Sequence, residues 1–174
     1  MKIIIEGPNN VGKSTIIKEL KKFQWFKNYN VEYFGADTPK IYDFYKDVLN
    51  DFDNIICDRY MISELVYSEY YNRQSLISID DVIKIMNEHS CRNEDVVVIF
   101  VDAQYEFIVN SYKNKREVFD YKFTRFERLK FKYYEEQISK RCPNIKVINM
   151  YNCVNDSISI THIINKILLQ KGVV

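Results

Sequence analysis

The chain has 174 residues, with 25 lysines and arginines against 24 aspartates and glutamates. That length suits one domain with a proper core, and the balanced charge argues against a nucleic-acid polymer or a membrane face as partner. No apolar run approaches the roughly 20 residues of a membrane span.

The first predicted element is a short buried strand, Lys2 to Glu6, built on Ile3-Ile4-Ile5. It leads straight into Gly7-Pro8-Asn9-Asn10-Val11-Gly12-Lys13-Ser14, a complete G-x-x-x-x-G-K-S pattern. Residues 13–27 then read as a helix, with Ile16, Ile17, Leu20 and Phe23 on one side. Strand, glycine-bearing loop and helix in that order aim backbone N–H groups at phosphate oxygens. Gly7 and Gly12 allow dihedrals that a Cβ would forbid. Lys13 can reach terminal phosphates as a point charge, and the Ser14 hydroxyl can ligate Mg²⁺. Because the strand begins at residue 2, a signal peptide is not expected, and a cytoplasmic location is.

Further strands are expected at 31–34, 54–57, 96–102 and 146–150. The run Val96-Val97-Val98-Ile99-Phe100-Val101 is apolar throughout, as in a strand buried on both faces. Helices are expected at 40–51, 61–72, 79–90, 104–113, 122–140 and 156–170. Ser78-Ile79-Asp80-Asp81 reads as a capping box opening the fourth of the seven. Pro143 stands where the helix of 122–140 must have stopped. The stretch from Asn114 to Tyr121 carries the weakest pattern. Alternating strands and helices call for a parallel sheet covered on both faces, with ligands at the carboxyl ends of its strands.

Two other chemically loaded segments fall at such ends. One is Asp58-Arg59-Tyr60, the other Asp102. Beside a phosphate loop, an Asp at the end of a neighbouring strand suits contact with Mg²⁺ or its water. An Arg next to it suits a phosphate, through its planar fork. The basic run Tyr112-Lys113-Asn114-Lys115-Arg116-Glu117 suits a lid, with Arg116 the first choice of cation and Lys113 or Lys115 the second. Phe123 to Tyr134 interleaves aromatics with Arg125, Arg128, Lys130 and Lys132. Their helical spacing favours an amphipathic helix over a surface that stacks bases. Cys57, Cys91, Cys142 and Cys153 have neither C-x-x-C spacing nor a zinc-like histidine neighbour, so reduced thiols are expected.

These residues resemble the thymidylate kinase family. The likeness rests on Glu6-Gly7-Pro8-Asn9-Asn10-Val11-Gly12-Lys13-Ser14-Thr15 and on Asp58-Arg59-Tyr60 followed by Ser63 and Val66-Tyr67. It extends to Phe100-Val101-Asp102 with a helix and a basic lid behind it. The resemblance implies one P-loop NTPase domain over 1–174, of the nucleoside monophosphate kinase kind, with a five-stranded parallel sheet flanked by helices and a lid near 112–121. It implies ATP and Mg²⁺ as cofactors and a deoxynucleoside monophosphate, dTMP first, as acceptor. Gly7, Asn9, Asn10, Val11, Gly12, Lys13, Ser14 and Thr15 would hold ATP, and Ser14 and Asp58 the metal. Lys13, Asp58, Arg59 and Arg116 would carry catalysis, and Asn9, Arg59 and Tyr67 would meet the acceptor. Tyr151, in Asn149-Met150-Tyr151-Asn152, would neighbour the adenine, and a homodimer is implied as well.

Two departures stand out. The family places an Asp where this chain has Asn9, and an Arg-Glu-Pro type segment where this chain has Phe34-Gly35-Ala36-Asp37-Thr38-Pro39. Two alternatives stay open: a deoxynucleoside kinase, with Asp58 or Asp37 as base, and an ATP-binding module without transfer activity. A GTPase is not expected, because no Asn-Lys-x-Asp segment follows a strand.

Overall fold

The computed structural model describes residues 1–92 and 95–153, together with Asn165 and Ile167. The expected helix at 156–170 lies outside the described residues apart from those two positions. One five-stranded sheet organises the rest, with β1 Lys2–Glu6, β2 Asn30–Tyr33, β3 Ile55–Asp58, β4 Val96–Ala103 and β5 Lys146–Asn152. Its order is β2-β3-β1-β4-β5, and every pairing is parallel. The register sets Ile5 beside Asp58 on one side and Ile99 on the other. The phosphate loop, the Asp58-Arg59 corner and the end of β4 therefore emerge along the same edge of the sheet.

Among the elements described in full, helices α1 Lys13–Leu20, α2 Tyr42–Asp51, α3 Met61–Tyr70, α4 Ile79–Cys91, α5 Tyr105–Lys115 and α6 Tyr121–Arg141 cover the two faces. Isoleucines of β1 alternate between two cores. Ile4 joins Tyr45, Leu65, Met86, Phe131 and Ile138 on the α2–α3–α4–α6 face. Ile3 and Ile5 join Ile16, Leu20, Ile108 and Met150 on the α1–α5 face. The capping box is formed: Asp81 N donates to Ser78 Oγ at 3.2 Å, and Ser78 N to Asp81 Oδ2 at 2.8 Å. The aromatic helix is amphipathic, as its spacing suggested, with Thr124, Glu127, Phe131, Tyr134 and Ile138 on its buried stripe.

Two element boundaries are corrected. The first helix ends at Leu20 rather than running to 27. Phe23 is extended, and a 3-10 turn over Gln24–Phe26 drives Phe26 into the core, edge-on to Tyr29 at 5.3 Å. Lys21 Nζ fixes the reversal by donating to Lys27 O and Tyr29 O, each at 2.6 Å. The weakly patterned stretch of 114–121 also shrinks. Residue 115 still belongs to α5, residue 121 already opens α6, and the irregular strap is 116–120.

Candidate active site

The loop between β1 and α1 is shaped by three residues in the left-handed region, Asn10 at φ 61° and the glycines Gly7 and Gly12 at 146° and 97°. Gly7 has no substitute: a Cβ there would stand 2.1 Å from Val101 O. At the far side, Asn152 Nδ2 donates to Val11 O at 2.5 Å and ties the loop to the end of β5. Lys13 is buried and folded back on the loop, donating to Gly7 O at 2.8 Å and Pro8 O at 2.5 Å. Burial, with the Arg59 charge nearby, lowers its pKa to about 7. Next to it, Ser14 Oγ donates to Asp58 Oδ2 at 3.0 Å, so the hydroxyl and carboxylate named as metal ligands do meet.

These groups line an open cleft of about 570 Å³ with Asn9, Asn10, Gly12, Thr15, Lys18, Tyr33, Arg59, Ser111 and Lys115. Its roof comes from α5. Lys115 Nζ donates to Asn10 Oδ1 at 2.5 Å, and Asn10 Nδ2 donates to Glu117 Oε2 at 3.2 Å. Arg116 does not line this cleft; it closes α5 at φ 59° and is exposed. Val11 does not line the cleft either; its side chain is buried in the core.

A second cavity of about 420 Å³ adjoins the first across Asn9, Tyr33 and Arg59. Its walls are aromatic, Phe34, Tyr45, Tyr60, Tyr67 and Tyr71, with Lys40, Glu64 and Arg73 at one end. Glu64 is buried and gripped by the Arg73 fork at 2.5 and 2.6 Å, with Lys40 at 3.5 Å. Asp37 does not line this cavity.

Arg59 stands between the two cavities. It leaves β3 at φ 70°, a conformation that costs a non-glycine residue about 1–3 kcal/mol. Its N–H donates to Ile5 O at 2.9 Å, which keeps the turn tight. Nη1 donates to Tyr67 Oη at 2.6 Å, Nη2 to Asn9 Oδ1, and the guanidinium lies 5.1 Å from the Tyr67 ring centre. Burial holds the Tyr67 phenol well above its usual range, so both direct receptors of Arg59 are neutral.

Two buried carboxylates carry functional geometry that the sequence reading left unassigned. Glu6, the last residue of β1, accepts from Ile62 N at 3.1 Å, Ser63 N at 3.3 Å and Ser63 Oγ at 2.5 Å, fastening the start of α3. Burial raises its pKa to about 7. Glu127, on α6, reaches under the phosphate loop and accepts from Asn9 N at 3.1 Å, Asn9 Nδ2 at 2.8 Å and Tyr67 Oη at 2.7 Å. Its signal in sequence was a carboxylate on the apolar stripe of an amphipathic helix. Tyr151, at the other end of the sheet, borders a smaller cavity of about 220 Å³ behind Pro8 and Phe131 rather than the open cleft.

No family model matches the chain. The SPbeta prophage-derived uncharacterized protein YorR of Bacillus subtilis (strain 168) is 32% identical over 91 residues, 47% of this chain and 54% of that protein. The match thus spans about half the length of the curated relative. Among solved structures, YorR from Bacillus subtilis in complex with phosphorylated GDP is similar at a TM-score of 0.69 and 20% identity, over 99% of this chain and 98% of that one. Deoxyadenosine kinase from M. mycoides with bound dCTP is similar at a TM-score of 0.55 and 18% identity, over 97% and 100%. The chain has the fold of the P-loop kinases. Among the described residues, no helix is long and apolar enough to cross a membrane.

Proposed function

We propose that the protein transfers the terminal phosphoryl group of ATP to a deoxynucleoside monophosphate, with dTMP the first acceptor to test. The observation that carries this reading is Arg59. It lines both cavities, its side-chain hydrogen-bond partners among the described residues are neutral, and so it keeps its charge for a ligand at the junction. A phosphate acceptor is already ionised near neutral pH and needs no strong base, so positioning and charge stabilisation suffice.

The open cleft suits the donor. Loop N–H groups and Lys13 would take its phosphates. An arriving polyphosphate supplies the negative charge that would draw Lys13 off the loop carbonyls and return its pKa upward. Ser14 and Asp58 present hard oxygens side by side, the donor set that Mg²⁺ prefers when substrate phosphates complete its shell. Bound there, Mg²⁺ would neutralise charge on the phosphates. The lid cation in this arrangement is Lys115, already in the cleft, with Arg116 one residue along the strap.

The rival reading is phosphorylation of a nucleoside hydroxyl, in keeping with the likeness to deoxyadenosine kinase. That chemistry calls for a base in reach of the hydroxyl. Among the described residues lining the acceptor cavity, the one carboxylate is Glu64, and Arg73 and Lys40 occupy it. Coupled ADP release, measured over the four deoxynucleoside monophosphates and their nucleosides, separates the readings. Turnover of a monophosphate is expected. Turnover of nucleosides alone would overturn the reading, and ATP binding without acceptor-dependent ADP would mark a non-catalytic module.

A further inference from the structure

Glu127 is completely buried and lines neither cavity, yet it ties the two sides of the acceptor junction together. Four residues from four elements form a closed ring. Arg59 donates to Tyr67 and Asn9, and both of these donate to one oxygen of Glu127, from 60 and 118 residues away in sequence respectively. The other oxygen, Oε2, is buried and has no hydrogen-bond partner among the described residues. A buried carboxylate is costly unless it is well paired. Here its donors are the loop and α3, while the charged groups around it, Lys13 and Arg59, act at longer range.

The arrangement has a specific benefit. A carboxylate placed directly on Arg59 would neutralise it and compete with a phosphate. Set one neutral group behind, it polarises the Tyr67 hydroxyl and the Asn9 amide, making both better receptors for the guanidinium. It also fixes a long side chain that otherwise carries considerable rotamer entropy. We propose that Glu127 is a positioning residue: it closes the Arg59–Tyr67–Glu127–Asn9 ring that aims the guanidinium across the junction of the two cavities. This rests on the acceptor role assigned to Arg59 above.

The test is steady-state kinetics with dTMP and ATP varied separately, on wild type, Glu127→Ala, Glu127→Gln, Tyr67→Phe and the Glu127→Ala/Tyr67→Phe double variant. Glu127→Ala should raise the acceptor KM roughly tenfold or more, with the ATP KM unchanged within about twofold. Glu127→Gln should recover most of the loss, because it keeps an oxygen toward the three donors and puts its amide nitrogen where Oε2 has no partner. The double variant should be little worse than Glu127→Ala alone, as expected of residues acting as one unit. Equal rises in both KM values, multiplying effects, or no recovery by glutamine would overturn the proposal. Denaturant unfolding of the same proteins reads the ring without substrate, and non-additive losses are expected there too. If wild type phosphorylates no acceptor, the proposed function fails, while additive stability losses would separately sink the ring. Should Glu127→Ala fail to fold, the cycle of Glu127→Gln with Tyr67→Phe takes its place.

Discussion

The proposed donor cleft and the proposed acceptor cavity share three residues and are built in opposite ways. The donor cleft is local. Most of its chemistry comes from one contiguous loop, whose shape is set by three left-handed residues and by the close approach to Val101 O. The acceptor cavity is assembled. Its key side chain reaches its position only because α3, α6 and the loop converge behind it. Local construction gives rigidity from backbone geometry, whereas assembled construction gives orientation from side-chain networks that single substitutions can loosen.

The largest expected effect separates the two halves directly. Arg59→Ala should cut turnover with the acceptor about a hundredfold or more, the scale seen when one charge-stabilising donor is removed. ATP affinity, measured by titration, should stay within about twofold; an equal fall in both would erase the distinction. A smaller effect lies at the seam. Glu6 ionises only near pH 7 in the folded chain, against about 4.5 when exposed. Below 4.5 both states hold the proton. Between 4.5 and 7 the folded state holds it longer, so stability from this group is lost as pH rises through 7, on the order of 3 kcal/mol in all. Lys13 has the opposite sense, its pKa being lowered, and its contribution to stability grows as pH rises above 7. Glu6→Gln should therefore flatten the fall of Tm between pH 4.5 and 7, and an unchanged slope would contradict this. The smallest effect is a control remote from both cavities. Ser78→Ala should cost about 1 kcal/mol through loss of the α4 cap, read as a few degrees of Tm, with neither KM altered.

This contrast also explains what could be read from the residues alone. The phosphate loop, the Asp58-Arg59 corner and the parallel sheet are legible because each is signalled by neighbours in the chain. Helix α1 is misread for the converse reason. Lys21 and Lys22 suit a helix, and nothing before Phe26 announces that its ring must enter the core and end it. Glu127 is harder still. In a helix rich in lysine and arginine, one more carboxylate looks like a solvated partner for them. Its spacing puts it on the apolar stripe, but the groups that pair with it are set by how α6 lies against a loop more than a hundred residues earlier.

Helix α6 carries one more consequence. Arg128, the residue after Glu127, grips Asp102 at the end of β4 with a two-pronged pair, Nε to Oδ1 at 2.8 Å and Nη2 to Oδ2 at 2.7 Å. Consecutive side chains leave a helix about 100° apart, so the two tethers pull in different directions and block rolling as well as sliding of α6. We expect any closure over the cleft to come from the strap 116–120 rather than from α6. Loop motions run from nanoseconds to microseconds, whereas lid opening can take microseconds to seconds. Tethered twice, α6 is a fixed wall against which the phosphate loop and the end of β4 keep their spacing.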